Sequence, residues 1–144
     1  MGIEQVVEMP PRWGMDLERA WSEHTDLNIR LSDGKGTVPE FAKWLRDCVF
    51  YLTGPEDFPP ERRREIQRNA ALELAEAGLL AGRIKLPAAK RAKWLGPVRF
   101  VAQALGQEAV SWASEGFGVD ERRVAHLFGM ADLASELASN VLDY

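Results

Sequence analysis

The chain has 144 residues, 46% hydrophobic and 28% charged, a length and balance that suit one globular core and exclude a disordered polyelectrolyte. A single cysteine excludes an intramolecular disulfide, and no apolar run approaches the roughly 20 residues that a membrane-spanning helix needs. The net charge of −4 argues against a dedicated nucleic-acid binder, but it is blocked in thirds: six basic against eleven acidic side chains in residues 1–60, ten against four in 61–100, and two against seven in 101–144.

Residues 1–12 hold Ile3, Val6, Val7 and Met9 and end in Pro10-Pro11, the pattern of a short flexible N-terminal arm. A short helix is expected over 15–24, where Leu17, Ala20 and Trp21 share a face. His24 then falls near a helix end, where its charge suits the macrodipole. Residues 27–31 alternate apolar and polar, which predicts one short extended segment without a partner strand.

Ser32-Asp33-Gly34-Lys35-Gly36-Thr37 has the Gly, Lys and Thr of a phosphate loop, but Ile29 stands where that loop needs its first glycine. A tight turn leading into a helix cap accounts for all six residues. Thr37, Pro39 and Glu40 together spell a capping box with proline in the first turn. Behind them Phe41, Trp44, Leu45, Cys48, Val49 and Leu52 form an unbroken helical stripe that stops at Gly54-Pro55. Cys48 in the middle of that stripe reads as a small hydrophobe rather than a nucleophile.

A second long helix is expected over 61–81, with Ile66, Ala70, Leu74 and Ala77 inward, then a short one over 87–95 stopped by Gly96-Pro97. Val98, Val101, Ala102, Leu105, Ala109, Trp112 and Ala113 define the next, closed by Gly116 and Gly118. Asp120 can cap the last, whose phase runs from Val124 through Leu127, Phe128, Ala131, Ala134 and Ala138 to Val141 and Leu142. Residues 124–131 resemble the opening of a helix-turn-helix. The segment after them carries Asp132 and Glu136 with no Lys or Arg, so one continuous helix is expected. The fold class is therefore all-α: one domain, 1–144, a compact bundle of five to six helices.

No catalytic motif is visible, and neither His24 nor His126 has a second histidine or cysteine at metal-ligand spacing. No metal, cofactor or catalytic residue is expected, and an enzyme would need convergent polar groups that the order of residues does not display. The one conflict with helix formation is Arg62-Arg63-Arg64, three cations in a first turn where the dipole is already positive. Arg68 shares a face with Arg64, and Lys90, Arg91 and Lys93, beside Trp94, add a second cluster. These eight residues are the candidate contact site, either for a protein partner or, through the basic segment 62–99, for a nucleic-acid backbone. A solvated face in which Glu61 and Glu65 pair with the arginines, without any binding role, is the simpler reading of the same residues. The expected function is a cytoplasmic, non-catalytic helical interaction protein binding an acidic or mixed protein partner (an adaptor, an inhibitor or a small subunit), with no membrane contact.

Overall fold

The computed structural model describes residues 9–118 and 120–140, with side chains from Asp16 onward. Among these residues there are six helices and no strand: α1 (Met9–Ser32), α2 (Val38–Leu52), α3 (Pro60–Leu74), α4 (Ala77–Gly82), α5 (Ala88–Ser114) and α6 (Glu121–Asn140). Contacts run α2 to α6, α6 to α5, α5 to α3 and α3 back to α2, which closes a ring of four helices. α4 lies on α5, and α1 lies on α2. The all-α bundle is as expected.

α2 contributes most to the core because its stripe is complete: Phe41, Trp44, Leu45, Cys48, Val49 and Leu52 are all fully buried. Its start is set by the capping box. The Thr37 hydroxyl accepts the Glu40 amide N–H at 3.3 Å, and Glu40 Oε1 accepts the Thr37 amide N–H at 3.0 Å. Gly54, at φ +73°, ends it in a backbone conformation that suits glycine. Thr37→Ala is expected to lower the unfolding free energy by about 1 kcal/mol, read as a shift of the urea midpoint at unchanged slope. Arg30 of α1 reaches the same Glu40 at 3.3 Å and, as the largest influence, holds its carboxyl below the usual range. That contribution is present above the unfolded carboxylate pKa and fades as pH falls through the depressed folded value. It stays small, because Arg30 is half exposed.

Four boundaries differ from the sequence expectations. α1 is continuous through 27–31, so there is no extended segment. Trp21, His24 and Leu31 are buried and Leu17, Leu27 and Asn28 half-buried, a helical spacing, whereas Ile29, which the alternation counted as inward, is exposed. Residues 9–12 of the expected arm belong to α1, where prolines fit the first turn; residues 1–8 lie outside the described ones. The expected helix 61–81 is two, broken after Leu74, where the chain turns against α5. Conversely, 87–95 and the segment after it are a single helix with Pro97 inside. Gly96 and Pro97 are exposed, so the turn in which the proline lacks its N–H lies at the surface and not against the core.

The expected Asp120 cap is present, its Oδ1 accepting the Arg123 amide N–H at 3.1 Å. α6 is unbroken, as expected, and its Leu127, Ala131, Ala134 and Ala138 are buried; Val141 and Leu142 lie outside the described residues. Tryptophan supplies core anchors. Trp21, Trp44, Trp94 and Trp112 are all buried, and the last three donate their indole N–H to Asn28 Oδ1 (3.1 Å), Ala138 O (3.1 Å) and Gly118 O (2.9 Å). Phe58 is buried too, and the Trp13 side chain lies outside the described ones.

Candidate functional site

The structure disperses the eight basic-segment residues. Arg62 is taken up internally: its guanidinium donates to Glu18 of α1 at 2.9 Å through two nitrogens and to Glu65 at 2.5 Å, and these carboxylates raise its already high pKa. The three cations in the first turn are thus partly a tie between α3 and α1. Arg63 is half-buried with its stem against Gly54, while Arg64 and Arg68 are exposed. Arg91 donates to Ile84 O at 2.9 Å and Gly82 O at 2.7 Å, closing the C-terminus of α4. Lys90 is half-buried and Lys93 exposed; Trp94, 2% exposed, is core and cannot meet a partner.

The two basic clusters do not converge. Arg63 packs near the C-terminus of α2, where Thr53 and Trp112 line one hollow, whereas Arg91 sits at the opposite end of α5 beside Ile84. Along α5 that separation is about 30 Å, at 1.5 Å rise per residue.

Two other features come together instead. The first is internal. His24 of α1, Cys48 of α2 and Glu73 of α3 meet between the helices, with His24 Nε2 2.7 Å from Glu73 Oε1 and 3.4 Å from Cys48 Sγ, and the thiol 3.7 Å from the same carboxylate oxygen. His24 is therefore a buried mid-helix residue, not a helix cap, and Cys48 is core but not in purely apolar company. The imidazole is flanked by Trp21, with ring centroids 5.4 Å apart, and by Trp44, at 6.4 Å and only 7° from parallel; Tyr51 tilts against it at 5.3 Å. Burial, with help from the Asp47 carboxylate, pushes the Tyr51 phenol up to about 12, so it stays neutral beside the ring. His24 Nδ1 is buried without a hydrogen-bond partner among the described residues.

Among the described residues this is the one group of three His, Cys, Asp or Glu donors close enough to hold a single ion. As a nucleophile Cys48 is poorly placed: it is fully buried, and burial followed by the nearby Glu73 charge pushes its thiol well above the ordinary range. Nothing in the sequence pointed to Glu73, because the three ligands come from three helices and share no motif spacing.

The second feature is external. Between 96 and 114 the exposed positions of α5 are Gly96, Pro97, Phe100, Gln103, Gln107, Val110, Ser111 and Ser114, none of them charged. Phe100 is 74% exposed, the most open large apolar side chain described. Ala75 borders a shallow hollow shared with Gln103, Gly106, Gln107, Val110 and Ser111. Beyond it, Gly78 lies against Gln103, and the next residue, Leu79, is half exposed. Phe100 and the charge gap could have been found from the sequence, but only with α5 taken as one helix.

No protein family, curated protein or solved structure matches the chain. Among the described residues no helix is long and apolar enough to cross a membrane.

Proposed function

We propose that this chain is a non-catalytic helical interaction protein that docks through the outer side of α5, and that the surface it meets there is α5 of a second copy. The observation that carries this reading is the charge-free exposed stripe from Gly96 to Ser114, with Phe100 toward its N-terminal end, in a chain that is 28% charged. Charge depletion around an aromatic anchor is the compositional mark of an interface core. A two-fold pairing also brings the same patch from both copies together, so a charged stripe would face its own sign; a neutral one is self-complementary. Leu79 and the hollow beside Ala75 widen the contact toward the roughly 800 Å² per partner of a stable interface. The inaccessible thiol of Cys48 supports a non-catalytic role, and a reducing cytoplasmic setting belongs to the same proposal.

Sedimentation velocity is the test. At about 100 μM the wild-type chain is expected to be dimeric, and Phe100→Glu monomeric with unchanged helicity, since an unpaired carboxylate would be buried in the contact. A wild-type monomer at that concentration overturns the proposal. Low-salt binding of a DNA duplex that Arg64→Glu with Arg68→Glu removes, without any dimer, overturns it in favour of the nucleic-acid reading.

A further inference from the structure

We propose that His24, Cys48 and Glu73 form an internal site for one divalent transition-metal ion of borderline softness, Zn²⁺ in class, which links α1, α2 and α3. The inference is independent of self-association through α5. It begins from convergence. A thiol, an imidazole and a carboxylate arranged as a proton relay would use both ring nitrogens, one toward sulfur and one toward oxygen. Here Cys48 and Glu73 both address Nε2, and Nδ1 is left buried without a partner among the described residues. Three donor atoms of ligating type, none more than 3.7 Å from another, are close enough to share one ion.

The distances agree with that purpose. Ligand bonds of about 2.3 Å to sulfur and 2.0 Å to nitrogen or oxygen give tetrahedral edges of about 3.5 Å for S···N and S···O, and about 3.3 Å for N···O. The observed edges to sulfur are 3.4 and 3.7 Å. The N···O edge, 2.7 Å, is a hydrogen bond in the metal-free protein and must open by about 0.6 Å when an ion takes its place.

The donor set selects the ion. One sulfur and one imidazole suit zinc or cobalt, and do not suit magnesium or calcium, which want oxygen alone. A thiolate and a carboxylate neutralise a dication, so the loaded site places no net charge in the core. In the metal-free protein the thiol carries its proton and donates toward Glu73. On loading, the S–H bond breaks, the sulfur lone pair binds the ion, and the proton leaves to solvent along Glu73, whose side chain is 14% exposed and is the open side of the cluster. Three protein ligands leave the fourth position to water.

Orientation is already provided. Trp44 is pinned by its indole N–H on Asn28 Oδ1, and the two indoles hold the His24 ring so that Nε2 faces the other ligands. A polar triad inside an aromatic wall is costly if it only stabilises the fold, because apolar side chains of the same volume fill such a space more favourably. An ion that needs these donors supplies a reason to keep them.

The test is titration of the chelator-treated full chain with Co²⁺, followed by displacement with Zn²⁺. The expected result is one Co²⁺ per chain, with the visible bands of a tetrahedral site and a thiolate-to-cobalt charge-transfer band, both lost when Zn²⁺ is added. Cys48→Ala should remove the charge-transfer band and weaken binding at least about 100-fold. Glu73→Gln, which is isosteric and can still hydrogen-bond His24, should weaken binding while keeping the band. His126→Ala, at an exposed histidine, should change neither. Absence of stoichiometric binding overturns the site, and so does Co²⁺ binding that persists unchanged in the folded Cys48→Ala and Glu73→Gln variants.

Discussion

Trp44→Ala is expected to lower the unfolding free energy by about 3–5 kcal/mol, the range for removing a fully buried indole. Trp44 is fully buried, stacks on Phe41 at 6.0 Å and runs parallel to His24, so truncation opens a cavity between α1 and α2. It also leaves Asn28 Oδ1 without the indole N–H that it accepts at 3.1 Å, a further cost of roughly 1–3 kcal/mol if the oxygen stays dry. Urea unfolding measures the total. The stability loss should be accompanied by weaker Co²⁺ binding, because one wall of the imidazole is gone. Trp44→Phe separates the two effects: it refills most of the space, keeps a ring against His24 and loses only the hydrogen bond. A loss below about 2 kcal/mol in Trp44→Ala would show that the α1–α2 seam collapses to fill the space.

That seam also shows what the order of residues reveals and what it hides. α2 was legible completely, from capping box to terminal glycine, because its signals are local and agree with one another. α6 was legible for the same reason, with a cap at Asp120 and a steady apolar phase. α1 was cut short because a five-residue alternation around Ile29 imitates a strand, and only burial against α2 decides which side faces inward. α5 was divided at Gly96-Pro97 by a rule that holds for buried backbone; here the proline lies at the surface and the helix continues through it.

The functional features were less legible for a physical reason. A metal site with motif spacing takes several ligands from one turn or one helix, and its periodicity can be read directly. His24, Cys48 and Glu73 come one from each of three helices, so their meeting is a property of packing, and taken singly each has a bland explanation. Arg62 shows the reverse case. Three arginines in a first turn looked like a binding site because they break a local rule, yet Glu18, far away in sequence, compensates the first of them. A local conflict marks a functional position only after tertiary partners have been counted.

Packing also sets the second large effect, at Gly106. By helix propensity alone, Gly106→Ala in the interior of α5 should stabilise the protein by up to about 1 kcal/mol. The fold reverses the sign. A Cβ there would lie 2.3 Å from the Leu74 carbonyl oxygen and 3.1 Å from its carbon, both backbone atoms at the end of α3 that cannot rotate away. To admit the methyl, α5 must move off α3, loosening Leu74, Ala102, Leu105 and Ala109, all fully buried in the ring of four helices. Overpacking of this kind carries an expected net loss of about 3 kcal/mol, at the upper end for a single methylene-sized intrusion because backbone must give way. Gly129→Ala in α6 is the matched control: it is also a helical glycine, but it is exposed with nothing within 4 Å of a new Cβ, so there the propensity gain should appear undiminished. Thermal unfolding of the two variants side by side should move the midpoint in opposite directions. An unchanged or raised midpoint in Gly106→Ala would mean that α3 and α5 are not held at the close approach that ends α3 at Leu74 and turns the chain into α4.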